Sequence, residues 1–341
     1  MTKQDPVSSA GNRSISHDAG VKEALAELRV PYKKARKKVF ITAAIIYAVP
    51  VLLTYIAWDY LALLLPAYFL VKTVSGWIMS DVDSPYKKLM VPALLKEIGP
   101  GLSYDQDGYI PEEDFLRPKI NVVLMDYYGG EDLVKGSYKG IQLRFSEVMA
   151  ARKYSTGDNT RQEMTYDGIF MIADFNRKFK CSHWVLPDTS KAKFGKAVGG
   201  FIQEHQHSGY GHMIRMEDPA FEKNFAVYTE DEEEARRILT PELMHSIMES
   251  SRLLYRKKPQ MGFAFMDSSV YVSIPIERGR SFFKMQSHGE MGEVIRKTKW
   301  ELKMFLDVID ALELNSHQWN KDAPAPAGIR TEVVPESCST S

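Results

Sequence analysis

VFITAAIIYAVPVLLTYIAWDYLALLLPAYFLVKTVSGWIM, residues Val39–Met79, decides how the rest of the chain is read. Its 41 residues carry two ionisable groups of consequence, Asp59 and Lys72. As helix, at about 1.5 Å per residue, the stretch reaches roughly 60 Å, twice a hydrocarbon core of about 30 Å. One crossing would strand half of it, whereas two crossings fit, with the turn at Trp58-Asp59-Tyr60. That tripeptide sets an aromatic on each side of a charge, as suits the membrane interface. Pro50 and Pro66 fall mid-span, which membrane helices tolerate. Lys72 would cost about 2.5–3.5 kcal/mol at the bilayer centre, but it stands seven residues before Met79, roughly 10 Å from the exit, within reach of a snorkelling side chain. A signal peptide fits less well, because 38 residues precede the apolar run and no small-residue cleavage site follows. A buried globular hairpin is the other competing reading.

The flanks orient the hairpin. PYKKARKKVF carries Lys33, Lys34, Arg36, Lys37 and Lys38 without an acid, the turn carries no base, and Lys87, Lys88 and Lys96 follow the second span. Bases on both outer flanks and an acidic turn place both termini on the cytoplasmic side. The five clustered bases also suit anionic headgroups, at about 1 kcal/mol per base.

The whole-chain numbers hide this segment. Over 341 residues the net charge is zero, charged residues make up 26 % and the mean hydropathy is −0.28. No bulk field favours nucleic acid. The two cysteines, Cys181 and Cys338, argue against a disulfide framework and fit a reducing compartment.

The sequence divides into four parts: 1–38, a disordered polar segment and a short basic helix; 39–80, the transmembrane hairpin; 81–315, a cytoplasmic domain; and 316–341, a Pro/Ser-rich disordered tail. In the first, Val21, Leu25 and Leu28 share a helical face that Pro31 is expected to stop. In the third, a helix over YKKLMVPALLKEI ends at Gly99-Pro100-Gly101. KINVVLMDYY, then a GGED turn, LVKGSY and IQLRFSEVMA read as an antiparallel meander. DGIFMIADF and CSHWVLPD read as a further strand pair, Lys191–Gly211 as a long exposed loop, and HMIRMED and NFAVYTED as two more strands. Thr229 and Glu232 fit a capping box for DEEEARRIL. Thr240 and Pro241 fit the N-cap and first position of the next helix. GFAFMDSSVYVSIPI is a hairpin about Asp267-Ser268-Ser269. Met291, Ile295, Leu302, Phe305, Leu306, Ile309 and Leu312 form the stripe of a packed terminal helix. The fold class is α+β: a two-span helical hairpin, then a mainly antiparallel sheet with packed helices.

Several of these runs resemble a known family. GGEDLVKGSYKGIQLRFSEV (Gly129–Val148), DGIFMIADFNRKFK (Asp167–Lys180) with VLPD after it, and EDPAFEKNFAVYTEDEEEARRILTPELMHSIM (Glu217–Met248) are similar to the bacterial membrane family called domain of unknown function 3137. The resemblance runs from about Val21 to Leu312. It implies a two-span anchor with a cytoplasmic α+β domain, and it implies no reaction and no catalytic residues.

Candidate chemistry is sparse. In YDQDGYIPEEDF, Asp105, Asp107 and Asp114 fall at the third, fifth and twelfth positions of a calcium loop with Gly108 sixth. Ser103 occupies the first position, however, and Gly99-Pro100-Gly101 and Pro118 break the flanking helices that such a loop needs. An Asp-Gly turn followed by a short helix with Pro111 at its first position accounts for the stretch better. EHQHSGYGH offers Glu204, His205, His207 and His212 as zinc ligands, and Cys181 and His183 form a second short pair. Glu131-Asp132 are paired carboxylates that a hairpin tip would use as turn caps. Tyr127, Tyr128, Phe263 and Phe265 alternate at strand period and read as sheet face. No GxSxG, HExxH or P-loop occurs. Two function classes remain. One is a membrane-tethered binding or scaffold module, an accessory component of an inner-membrane complex with a membrane or cytoplasmic protein partner, compatible with a homo-oligomer. The other is a zinc-dependent enzyme or sensor using residues 204–212. The first is preferred, with no cofactor and no reaction assigned.

Overall fold

A computed structural model describes residues 19–56, 58–121, 123–156, 159–175, 177–188, 210–255, 260–276, 282–284 and 290–312. By its contacts the chain forms two compact units, Met1–Pro100 with Ser281–Lys303, and Gly101–Arg280 with Met304–Ser341.

The first unit is helical. α1 (Ala19–Ile56) and α2 (Leu64–Ile98) are joined by a 3-10 turn over Trp58–Leu63, where the sequence places the turn. α1 differs from expectation, because it runs straight through Pro31. An interior proline costs a helix about 3 kcal/mol. Here a continuous stripe of buried residues, Val21, Ala24, Leu28, Tyr32, Ala35 and Val39, carries the helix across it in steps of three and four. α2 answers with Ser75, Met79, Val82, Tyr86, Met90 and Leu94 at the same spacing, so the pair packs as antiparallel neighbours do. The helix expected over YKKLMVPALLKEI is the continuation of α2, which passes Pro85 and Pro92 and ends at Gly99. The terminal helix (Met291–Ala311, α7 below) gives its first turns to this unit: Thr298 Oγ1 lies 2.8 Å from the Tyr86 hydroxyl, and Lys299 Nζ donates to Glu97.

Unlike this packed stripe, the apolar windows of α1 and α2 are 6 % and 11 % buried, and both helices are long and apolar enough to cross a membrane. Phe40, Val49, Tyr55, Leu65 and Phe69 all stand more than half exposed.

The second unit is an antiparallel sheet of nine strands in the order β1-β2-β3-β4-β9-β8-β5-β7-β6. They are β1 Leu102–Asp105, β2 Tyr127–Tyr138, β3 Ile141–Thr156, β4 Asn159–Asp174, β5 His183–Pro187, β6 His212–Ile214, β7 Phe225–Thr229, β8 Gly262–Met266 and β9 Ser269–Pro275. The short helices are α3 (Glu112–Leu116), α4 (Pro219–Glu222), α5 (Glu232–Ile238) and α6 (Pro241–Leu254). The α+β class is therefore as read, and three local expectations change. Residues 119–121 and 123–126 are not a strand, and β2 runs through GGED, with the reversal at Lys139-Gly140. A bulge between Glu131 and Val134, with Asp132 at φ 66°, absorbs the turn-like residues. β4 pairs with β9, while β5 pairs with β7 and β8, so DGIFMIADF and CSHWVLPD are not partners. The N-cap of α5 is Asp231, whose carboxylate accepts from the Glu234 amide, in place of Thr229. Thr240 caps α6 as expected.

Alternation along the strands gives the sheet two buried faces. On one, Phe145 meets Phe305 of α7 at 5.4 Å between ring centres. On the other, Phe115 of α3 packs on Tyr128, Tyr166 and Phe170 at 5.3, 5.0 and 5.1 Å. The segment around it is pinned by the Trp184 indole donating to the Pro118 carbonyl and the Tyr210 hydroxyl donating to that of Lys119. Phe115→Ala should lower the unfolding free energy by about 3–5 kcal/mol, as expected for a buried aromatic. Leu116→Ala, at a position 38 % exposed, should stay within about 0.5 kcal/mol. Thermal melts of the two purified variants check the contrast.

Candidate functional site

Two clusters of ionisable side chains stand out in the sheet unit. The first joins the edge of β5 to α5. His183 begins β5 and Thr229 ends β7, opposite it in register. Glu234 enters from the first turn of α5, and all three are buried. His183 Nδ1 lies 2.7 Å from Thr229 Oγ1, and Nε2 lies 3.1 Å from Glu234 Oε2. Thr229 Oγ1 also lies 3.0 Å from the Asp231 carbonyl oxygen and accepts from the Asp231 amide at 3.0 Å. A hydroxyl has one hydrogen to give. The hydroxyl either gives it to the Asp231 carbonyl and accepts from Nδ1, or gives it to Nδ1; in both cases the carboxylate beyond Nε2 accepts a hydrogen from that nitrogen.

Glu234 Oε2 accepts as well from the amides of Lys180 and Cys181, at 2.9 and 3.3 Å, and Arg177 lies 3.8 Å from Oε1. Burial pushes the Glu234 carboxyl up. The bonds from His183 and from the two amides outweigh it and hold the group below its usual 4.5.

A hydroxyl, an imidazole and a carboxylate in a row is the order of a hydrolytic triad. Here Thr229 and His183 are 0 % exposed. The cluster ties β5, β7 and α5 together, and it offers no surface to a substrate.

The second cluster lies at the β2 bulge. Glu131 pairs in register with Glu147 of β3. Asp132 sits in the bulge, buried, and accepts from the Tyr104 hydroxyl of β1 at 2.5 Å. Burial, the Asp132 charge and that hydrogen bond push the Tyr104 hydroxyl well above its ordinary value. One carboxylate oxygen from each of Glu131, Asp132 and Glu147 lies within 4.8 Å of the others. Three such oxygens are a donor set for a hard cation of the calcium or magnesium kind. GGED is therefore not a hairpin tip. The sequence signal for this site was the Glu131-Asp132 pair, and Glu147, sixteen residues on, could be joined to it only through the strand register.

The residues singled out from the sequence fall elsewhere. Asp105 ends β1 and its Oδ1 accepts from the Asp107 amide at 3.2 Å, in a local turn. Asp114 lies on α3, and its Oδ2 accepts from Arg144 Nη2 at 2.9 Å. A strand enters the acidic stretch, and α3 leaves it with Pro111 at its N-cap, not at its first position. His212 begins β6 and is exposed, while Glu204, His205 and His207 lie outside the described residues. Lys33, Lys34, Arg36, Lys37 and Lys38 are exposed on α1, next to the apolar window. Cys181 lies just before β5, and its amide donates to Glu234 Oε2 at 3.3 Å. The chain's other cysteine, Cys338, lies outside the described residues.

The fold and these clusters define an α+β protein with two helices fit for a membrane and no accessible catalytic constellation among the described residues. The model of the family described as protein of unknown function (DUF3137) matches residues 164–314, and the chain resembles that family over this stretch, a little under half its length. GGEDLVKGSYKGIQLRFSEV precedes the matched stretch. No curated protein matches the chain. A crystal structure of the mycobacterial trehalose monomycolate transport factor A, TtfA, is similar at 10 % identity, over 66 % of this chain and 93 % of that one, with a TM-score of 0.33. So remote a likeness carries no argument about fold or function.

The buried pair gives a pH dependence with a definite sign. Glu234 has its carboxyl lowered in the fold, so its contribution is fully present above the unfolded value near 4.5 and is lost as pH falls below it. Glu234→Gln should cost about 3–5 kcal/mol at pH 7, because it leaves the buried ring without its carboxylate. It should also flatten the loss of stability below pH 4.5 that the wild type shows. Urea melts from pH 7 down to 3 on both proteins test the cost and the slope.

Proposed function

We propose that this protein is a membrane-anchored binding or scaffold module. α1 and α2 form a two-span hairpin in a bacterial inner membrane, with both termini and the sheet unit in the cytoplasm, and the module serves as an accessory component of a larger membrane complex. The observation that carries the reading is the outward-facing apolar surface of the two helices, whose windows are only 6 % and 11 % buried. A core helix of a soluble protein would be mostly covered, and these are not. The side chains of Lys33, Lys34, Arg36, Lys37 and Lys38 support the orientation, because bases gather on the cytoplasmic flank. The same five bases lie against anionic headgroups there, each adding about 1 kcal/mol.

Tethering raises the effective concentration of the sheet unit toward other membrane proteins without any new contact. A partner in or beside the membrane is the ligand class this favours. The sealed His183 cluster gives no support to a hydrolase.

Alkaline carbonate should leave the protein in the membrane pellet. A cytoplasm-dependent reporter such as green fluorescent protein, fused after Ser341, should be active, and an alkaline phosphatase fusion at the same point inactive. Release by carbonate overturns the anchor, and the opposite pair of reporter results overturns the orientation.

A further inference from the structure

We infer that the sheet unit binds a phosphate group in a groove on the open end of its α3-covered face, between Lys135 of β2 and Arg144 of β3. The two residues are direct register partners. In an antiparallel pair such neighbours share a face with Cβ atoms about 4.5–5.5 Å apart, and like charges set opposite one another destabilise the ladder. Arg144 has a partial answer in Asp114, 2.9 Å from its Nη2. The Lys135 ammonium has no hydrogen bond or ion pair among the described residues, and neither has the Gln142 side chain. Two cations have been brought together: Asp114 answers Arg144, and Asp174 of β4 lines the same groove.

Both line a groove of about 560 Å³, with Gln142, Ser103 and Ser269 supplying further polar groups and Asp174 of β4 a carboxylate on its far side. That is the size of a small-molecule pocket and larger than phosphate, so an ester has room. The groove crosses from β1 to β9, four strand spacings, or roughly 19 Å. It exists because the α3 segment stops at the Asp114–Arg144 pair and leaves the end of the face bare. Its rim at Gly136 is backbone, where φ is +140° and a Cβ would meet the Gly101 carbonyl oxygen at 2.2 Å, so nothing larger than glycine could narrow it.

A tetrahedral phosphate suits this donor set. It carries about −1.5 to −2 charges near pH 7 and three acceptor oxygens, enough to bridge an ammonium on one strand and a guanidinium on the next while an amide holds a third oxygen. Such charge-assisted bonds are about twice as strong as neutral ones. The phosphate could belong to a soluble monoester or to a lipid headgroup, a diester that offers one charge and two free oxygens to the same cations. The groove lies wholly within the sheet unit, so this inference stands or falls apart from the membrane anchor.

The test uses the full chain in nanodiscs of zwitterionic phosphatidylcholine. Inorganic phosphate and glycerol 1-phosphate are titrated by isothermal calorimetry and thermal shift, and a parallel set of nanodiscs contains phosphatidylglycerol. Wild type should bind at least one of these three saturably. Lys135→Gln should weaken that binding tenfold or more, and Lys223→Gln, an exposed lysine elsewhere, should not. Without ligand, Lys135→Gln should melt no lower than wild type, because it removes one of two facing positive charges, and this establishes that the variant is folded. Binding of the soluble esters alone assigns a soluble ligand, and an effect of phosphatidylglycerol alone assigns a headgroup. Absence of saturable binding to all three, or equal binding by wild type and Lys135→Gln, overturns the inference.

Discussion

Apolar surface that faces outward has to meet something other than water, and in this chain that requirement is concentrated in α1 and α2. Burying apolar area is worth about 25 cal/mol per Å². The exposed faces of Phe40, Leu52, Tyr55, Leu65 and Phe69 would forgo it if solvent were their environment. Their own unit does not cover them, although it covers the polar-flanked halves of the same helices tightly. At about 1.5 Å per residue α1 is some 57 Å long, and a hydrocarbon core takes about 30 Å of it. The remainder is the stretch from Ala19 to Lys38, where the buried stripe from Val21 to Ala35 lies. Each helix thus has one half that packs on protein and one half that does not.

The prolines and the lysine of these helices follow the same division. Pro31, Pro85 and Pro92 fall where protein packing carries the helix past the missing hydrogen bond. Pro50, buried, and Pro66, exposed, fall in the apolar halves, where a helix crossing a membrane would tolerate them. Lys72 is exposed on the outward face of α2, five residues from Trp77, a distance of roughly 8 Å along the helix. A tryptophan marks the depth at which an amphipathic ring sits in an interface, and a lysine stem spans the gap.

What the sequence disclosed depended on how far apart the interacting residues lie. The helical hairpin and its turn were legible because hydropathy is a sum over neighbours. The β8–β9 hairpin and the Thr240 cap were legible because their signals are three or four residues wide. Pro31 misled, because the stripe that overrides it is answered by residues 75–94, some fifty positions away. GGED misled because a bulge, not a turn, accommodates Asp132, and a bulge exists only relative to the partner strand. His183 was noticed beside Cys181, yet its partners are Thr229 and Glu234, at 46 and 51 residues' remove. Thr229, which fits a capping box in the sequence, sits in this cluster, and Asp231 caps α5.

The β2–β3 ladder brings these observations together. On it, Glu131 faces Glu147 and Lys135 faces Arg144, like charge against like twice over, with opposite signs. Residues 144 and 147 point to opposite faces of the strand, since alternation has period two. The acidic pair with Asp132 is therefore gathered on one side of the sheet and the basic pair on the other, with the bulge between them. A sheet built for stability alone would cross the pairs and set Glu against Lys, gaining a few tenths of a kcal/mol at each position where it now loses a similar amount. The ladder does the reverse, while the neutralised pair, His183 with Glu234, is sealed inside where no ligand reaches it. Side chains of like charge thus face each other along β2 and β3, acidic on one face of the sheet and basic on the other.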